Sequence, residues 1–132
     1  MWSDPADMCQ RMADAFVSGD VEAIAARHIT PLAVYLPDGL HVRMTRAEVS
    51  AVISRRRDLA VAAGMAGIRS IVAVIDVLEN GRLPLTCEWI FLDRNGRQIA
   101  RNRMRFYCSR NPEGELLIEM VEMVRLGFPE PP

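Results

Sequence analysis

Three polar side chains, those of Asp76, Asn102 and Glu119, fall on predicted strands whose other side chains on the same face are large and apolar. A charged group buried there without a partner is costly, so each group must be paired, hydrated or protonated. Loss of hydration raises the pKa of a carboxyl group toward the range used in general acid–base catalysis. We therefore interpret Asp76 and Glu119 as candidate catalytic acids or bases, and Asn102 as an amide that orients a ligand. The alternative interpretation is a structural hydrogen-bond network, or strand ends whose side chains reach water.

Arg56 interrupts the apolar stripe of the third predicted helix. The other residues of that stripe are Val49, Val52, Ile53, Leu59, Ala60 and Ala63. A guanidinium at this position could bind Asp76 or Glu119, or hold an anionic ligand group through two hydrogen bonds. Alternatively, its stem packs on the core while its head reaches solvent. The flanking Arg55 and Arg57 are predicted to be solvated.

Two further residues are candidates for the mouth of such a pocket. His28 is predicted to end the second helix, where a cation suits the helix dipole. In the other interpretation it points into the pocket as a catalytic group that titrates near neutral pH. Tyr35 is predicted to line the entrance, or else to be a core tyrosine with a satisfied hydroxyl. Four large apolar residues complete the candidate ligand-binding set: Phe16, Trp89, Met104 and Phe106.

Turn and cap residues predict helices in the first half of the chain and long strands in the second. The predicted helices run from Pro5 to Ser18, from Val21 to about His28 and from Thr45 to about Ala63, with a short hairpin around Pro37–Gly39. The predicted strands cover 68–79, 82–93, 97–109 and 115–126, separated by turns at Asn80-Gly81, Asn95-Gly96 and Asn111–Gly114. Asn-Gly pairs favour two-residue hairpin turns, because both central positions need positive φ.

Such turns predict the register of the strands, and the register predicts which side chains share a face. The predicted opposite pairs are Asp76–Leu85, Val74–Cys87 and Val72–Trp89 in the first hairpin, Phe91–Ala100, Trp89–Asn102 and Cys87–Met104 in the second, and Glu119–Phe106 and Val121–Met104 in the third. The apolar face that results should receive the helices.

The opposite face of the sheet combines apolar residues with charges, among them Glu88, Arg101, Arg103, Arg105 and Glu122. The register pairs Glu88 with Arg103, and Arg103 with Glu122. A cross-strand charge pair contributes only about 0.2–1 kcal/mol, so these pairs favour specificity more than stability. A mixed face of this kind is typical of subunit interfaces. It predicts a homodimer that forms through the sheet.

Length and charge exclude several classes of protein. The chain has 132 residues and a formal net charge of −1, and all 16 of its basic residues are arginine. This length predicts one domain over residues 1–132, with 128–132 as a short proline-rich tail. The balanced charge argues against a nucleic-acid partner. No signal peptide is recognisable and no segment has the roughly 18 consecutive apolar residues of a membrane span, so we expect a cytoplasmic protein without membrane contact.

Neither a cofactor nor a metal is expected, because a P-loop, a dinucleotide-binding fingerprint and a Cys/His cluster are all absent from the sequence. Cys9, Cys87 and Cys108 are odd in number and widely spaced, which fits no disulfide framework and no zinc site. We interpret them as small reduced core residues. A reactive thiol is the alternative.

Three stretches carry a resemblance to a known family. Met12–Ile24 contains a helix, a Gly-Asp break and a second helix, Tyr35–Gly39 contains a hairpin turn, and Thr45–Ile53 begins a third helix. With the four-strand meander that follows, this order resembles the nuclear-transport-factor-2-like superfamily, especially its SnoaL-like polyketide cyclase branch. The resemblance implies an α+β, cystatin-like cone, in which a curved, mostly antiparallel sheet wraps around three N-terminal helices. It also implies a pocket at the open end and dimerisation through the sheet.

The family includes isomerases, dehydratases, cyclases and non-catalytic members, so the resemblance does not select a function. Its ketosteroid-isomerase-like members resemble one another in having a tyrosine on the first helix, one carboxylate beside the hairpin turn and another on a central strand. This chain has Phe16 or Met12 in place of the tyrosine, Leu36-Pro37 near the turn and Met104 on the strand. We therefore expect an apolar pocket for a small organic ligand. If the protein is an enzyme, we expect cofactor-independent isomerase, dehydratase or cyclase chemistry. The alternative is a non-catalytic module that binds a ligand or associates with other proteins through its sheet.

Overall fold

Three helices and a six-stranded sheet form the part of the chain that the computed structural model describes, residues 2–75 and 80–129. The elements in chain order are α1 (Pro5–Ser18), α2 (Val21–Ala25), β1 (His28–Leu36), β2 (Gly39–Arg43), α3 (Arg46–Ala62), β3 (Gly67–Ile75), β4 (Leu83–Leu92), β5 (Gln98–Arg110) and β6 (Leu116–Arg125). The strand order is β2-β1-β6-β5-β4-β3, and neighbours are antiparallel except β1 and β6. The predicted α+β class with a mostly antiparallel sheet is confirmed. None of the described helices is long and apolar enough to cross a membrane.

The first two helices begin where aspartate side chains cap them. Asp4 Oδ2 accepts a hydrogen bond from Asp7 N at 2.9 Å, and Asp20 Oδ1 accepts one from Ala23 N at 3.3 Å. Between the two helices Gly19 has φ 87°, a left-handed conformation that glycine adopts without strain. Both helix starts agree with the prediction.

The start of β1 differs from the prediction. α2 ends at Ala25, and His28 is the first residue of β1 rather than the last residue of a helix. Ile118 N donates a hydrogen bond to Arg27 O at 2.7 Å, and Ile118 pairs with His28 in the parallel β1–β6 ladder. The parallel pairing with β6 extends β1 back to His28, so strand replaces the last turn of the predicted helix.

α3 begins at the predicted capping box, where Thr45 Oγ1 accepts a hydrogen bond from Glu48 N at 3.2 Å. The prediction that Arg57 is solvated is wrong. Its Nε donates to Phe16 O at 2.8 Å and its Nη2 to Val17 O at 3.0 Å. The last carbonyls of a helix have no partner within the helix, so this guanidinium satisfies the C-terminal end of α1. Local periodicity could not reveal acceptors that lie 41 and 40 residues away in the chain.

The β4–β5 hairpin has the predicted register. Its opposite pairs include Phe91–Ala100, Trp89–Asn102, Cys87–Met104 and Glu88–Arg103. The turn itself is wider than predicted, because Asp93 N donates to Arg97 O at 2.9 Å and the ladder is irregular after Phe91. The central strands therefore present the inward and outward side chains that the sequence predicted.

The β3–β4 register differs from the prediction. Val72 lies opposite Cys87 rather than Trp89, and the ladder is irregular between Val72 and Val74. A bulge places an extra residue in one strand and shifts every pair beyond it. A prediction that assumes a regular two-residue hairpin does not include such a shift. Asp76, the first candidate acid, lies outside the described residues.

The β5–β6 register also differs. Phe106 lies opposite Val121 rather than Glu119, and Met104 lies opposite Met123 rather than Val121. A bulge leaves Glu119 without a partner in β5. Because the bulge interrupts the alternation of faces, Glu119 does not occupy the inward position predicted for it.

The outer face of the sheet, the side away from the helices, carries the predicted charges. Glu88 lies 3.7 Å from both Arg101 and Arg103, measured between carboxylate oxygens and guanidinium nitrogens. Glu122 lies opposite Arg105, so its predicted pairing with Arg103 is wrong. The cause is the difference in β5–β6 register described above. A continuous set of mixed charges nevertheless crosses the central strands.

The three cysteines lie in the core. Cys9 on α1, Cys87 on β4 and Cys108 on β5 are buried and form no disulfide. Burial raises the pKa of the Cys108 thiol to about 12, so this group stays protonated at neutral pH. For Cys108 these observations favour a reduced core residue over a reactive thiol.

Candidate functional site

A cavity opens between the inner face of the sheet and the three helices. Its empty space, counted together with the solvent in its open mouth, is about 910 Å³. The apolar residues of the described lining are Met12, Phe16, Ile24, Leu32, Val34, Leu36, Val49, Val52, Ile53, Trp89, Phe91, Met104, Phe106, Val121, Met123, Leu126 and Phe128. The polar residues of the described lining are His28, Arg43, Arg56 and Asn102.

Four rings form an aromatic cluster in the wall of the cavity: Phe16, Trp89, Phe91 and Phe128. Ring centroids lie 5.4 Å apart for Phe16–Trp89 and 4.8 Å apart for Phe91–Phe128. Tilted and edge-on contacts of this kind are favoured between aromatic rings. The structure places all four apolar residues of the predicted ligand-binding set in the cavity wall: Phe16, Trp89, Met104 and Phe106.

Residues 126–129, named here the closing segment, follow β6 and form one side of the cavity. Gly127 N donates a hydrogen bond to Asn102 Oδ1 at 2.6 Å. Phe128 packs edge-on against Phe91. Phe128, predicted as the first residue of a free tail, is therefore part of the cavity wall.

Asn102 has the structural hydrogen-bonding role that the sequence left open as the alternative. It is buried, lies in the cavity wall, and holds the closing segment through its side-chain oxygen. Since Oδ1 accepts from Gly127, the amide Nδ2 is the donor that can serve a ligand. An added Cβ at Gly127 would lie 2.9 Å from Arg101 O, so only glycine lets the segment approach β5 this closely.

His28 lines the cavity from the first residue of β1. Its Nδ1 lies 2.9 Å from Ile24 O, and because a carbonyl can only accept, Nδ1 carries the proton and donates. Burial lowers the pKa of His28 to about 4, so the ring is neutral at pH 7 and Nε2 has a lone pair. His28 is therefore a hydrogen-bond acceptor and a weak base, not a cation at a helix end.

Two arginines enter the cavity from different elements, Arg43 from β2 and Arg56 from α3. Arg56 is half-buried in the inward stripe, as its helical position predicts. Arg43 was not among the predicted site residues. It lies opposite the buried Leu32 in the β1–β2 hairpin, and this pairing places it on the inner face.

The electrostatic character of the cavity follows from these residues. In the described part of the lining Arg43 and Arg56 are cations, His28 is neutral, and no aspartate or glutamate is present. Within residues 2–75 and 80–129, no cluster of three histidine, cysteine or acidic side chains could hold a metal ion. The arrangement can enclose an apolar molecule beside a few hydrogen-bonding groups.

Two predicted site residues lie away from the cavity. Glu119, displaced by the bulge, places its Oε2 2.7 Å from Arg82 Nε in a partly exposed ion pair. Tyr35 is exposed on the outer face opposite Leu40, because Val34 occupies the inward position beside it. The prediction of Glu119 as a pocket acid and of Tyr35 as an entrance residue is corrected accordingly.

A family model described as "NTF2-like protein (DUF6841)" matches residues 6–123. No curated protein matches the chain. Among solved structures, a cystatin-like domain of unknown function from Nostoc punctiforme is 14% identical with a TM-score of 0.71, covering 92% of this chain and 74% of that one. Aln2 from a Streptomyces species is 13% identical with a TM-score of 0.67, and the match covers 95% of this chain and 94% of Aln2. ActVI-ORFA from Streptomyces coelicolor is 16% identical with a TM-score of 0.64, and the match covers 86% of this chain and 88% of ActVI-ORFA. At these identities the similarity shows the fold, and the cystatin-like fold predicted from the sequence is confirmed.

Proposed function

The chain belongs to the NTF2-like family described as DUF6841, and from that premise we propose that its cavity binds a small organic molecule with a largely apolar body. The observation that carries the proposal is the cavity itself, which is partly open to solvent and lined mainly by apolar side chains. Binding sites for small molecules combine such a lining with a small number of placed polar groups. His28, Asn102 and the two arginines of the wall are groups of this kind.

Binding is favoured over cofactor-independent isomerase, dehydratase or cyclase chemistry by the acid–base groups that the cavity offers. Such reactions require a base of suitable strength beside the substrate. His28 has a lowered pKa of about 4 and is a weak base, and Glu119 is paired with Arg82 outside the cavity. Within the described lining, no carboxylate can take that role.

Binding can be tested with the neutral fluorescent probe N-phenyl-1-naphthylamine, whose emission rises in apolar surroundings. We expect saturable binding that Val52→Phe weakens by roughly tenfold, because the larger ring fills the cavity that Val52 lines. Val61→Phe is the matched control, since Val61 is exposed on the same helix. Equal affinity of the two variants for the probe would contradict the proposal.

A second candidate function, association into a homodimer through the outer face, is supported by a different observation. Four large apolar residues are exposed on that face: Tyr35, Leu40, Val42 and Ile71. They flank the charges of Glu88, Arg101 and Arg103. Exposed apolar area beside paired charges is the composition of a protein interface.

Arg103→Glu is expected to weaken such a dimer by at least about tenfold, because it places a like charge beside Glu88 at the centre of the face. Analytical ultracentrifugation over a range of concentrations would measure the change. Arg94→Glu, in the exposed turn after β4, makes the same charge change outside the face and should leave association unaltered. An identical mass distribution for both variants and the wild type would contradict the assignment of the outer face as the dimer interface.

A further inference from the structure

We propose that the ligand is an organic acid and that Arg43 receives its carboxylate. The inference rests on the proposed function and adds the chemical class of the ligand. It starts from one atom: Arg43 Nε is buried in the cavity wall and makes no hydrogen bond to any residue that the structure describes.

The chemistry of a guanidinium explains why this atom points to a carboxylate. A buried N–H group without an acceptor is costly, and more so when it carries part of a positive charge. Nε–H and a neighbouring Nη–H point in the same direction, with a spacing that matches the two oxygens of a carboxylate. A neutral amide or alcohol can satisfy one of these donors but leaves the charge of Arg43 without compensation.

The described acidic residues near β2 are engaged elsewhere. Glu48 is exposed, and its Oε2 accepts a hydrogen bond from Met44 N at 2.6 Å. Glu22 lies 3.7 Å from Arg46 in an exposed ion pair. No ion pair joins Arg43 to a carboxylate in residues 2–75 and 80–129, so a bound anion can supply the missing acceptor.

The rest of the lining selects the remainder of the molecule. The aromatic cluster and the methionines Met12, Met104 and Met123 offer adaptable apolar surface to a ring or branched hydrocarbon. The ligand class is therefore a carboxylic acid with a compact apolar body.

The test compares two probes of the same shape, adamantane-1-carboxylate and adamantane-1-carboxamide, in a Trp2→Phe background. The chain has two tryptophans, so this change leaves Trp89 in the cavity wall as the reporter of binding. Fluorescence titration at pH 7 should show the carboxylate binding about ten- to hundredfold more tightly than the amide. Arg43→Met should reduce that ratio to near unity by weakening the carboxylate selectively.

Arg69→Met is the matched control, because Arg69 is an exposed arginine on β3 and is not among the residues of the cavity wall. It should keep the preference for the carboxylate. Equal binding of the two probes, or a preference that survives Arg43→Met, would overturn the inference while leaving the proposed function in place. Binding of neither probe would overturn this inference, and titration with N-phenyl-1-naphthylamine would then decide whether the proposed function stands.

Discussion

Replacing Phe91 with alanine is expected to lower the free energy of unfolding by about 3–5 kcal/mol. The side chain is 0% exposed and contacts three rings, with centroid distances of 6.1 Å to Phe16, 6.3 Å to Trp89 and 4.8 Å to Phe128. These rings belong to α1, β4 and the closing segment, so no single movement can fill the space that the substitution leaves. Urea denaturation would report the loss as a lower midpoint at unchanged slope.

The control for this prediction is Val61→Ala, which truncates an exposed side chain on α3. It should change the free energy of unfolding by no more than about 0.5 kcal/mol. If Phe91→Ala cost less than about 1.5 kcal/mol, the three-way packing of the aromatic cluster would be refuted.

Acidification from pH 7 to pH 5 is expected to remove about 2 kcal/mol of stability through His28. Burial lowers the pKa of His28 to about 4 in the folded protein, so the unfolded chain, with a histidine pKa of about 6.5, takes up the proton first. This contribution is fully present above the unfolded pKa and declines as the pH falls toward the folded one. By pH 4 the cumulative loss reaches about 3 kcal/mol.

The measurement is the free energy of unfolding in urea at several values between pH 7 and pH 5. His28→Gln, which cannot titrate, should show a pH dependence that is shallower by the amount predicted for His28. His41→Gln changes a partly exposed histidine outside the cavity wall and should keep most of the wild-type dependence. Parallel curves for the wild type and His28→Gln would show that His28 is not held neutral by the fold.

Local sequence signals predicted the elements and the central hairpin because these depend on nearby residues. The capping aspartates and Thr45 mark helix starts through contacts with backbone groups three residues away. The β4–β5 pairing follows from the Asn95-Gly96 turn, and it correctly placed Trp89 and Asn102 on the inner face. For these residues the local pattern contained the necessary information.

The remaining site residues depend on features that no local pattern contains. Bulges displaced Glu119 from the inner face and shifted the β3–β4 register, and a bulge is visible only once two strands are paired. Arg57 finds its acceptors in another helix, and Phe128 finds Phe91 only when the chain returns to the sheet. Arg43 lies opposite Leu32 because the hairpin closes at Leu36 and Gly39, a register that the predicted turn at Pro37–Gly39 did not specify.

The closing segment also bears on how this protein can change over evolutionary time. Its two lining side chains, Leu126 and Phe128, follow the last strand, so neither of them belongs to the sheet ladder. Substitutions there can reshape the cavity without disturbing any strand register, provided that Gly127 and Asn102 keep their hydrogen bond. Changes in the shape of the cavity can therefore arise at these two positions while the strand ladder stays intact. Phe128 also packs against Phe91, so a change there alters the aromatic cluster as well as the cavity.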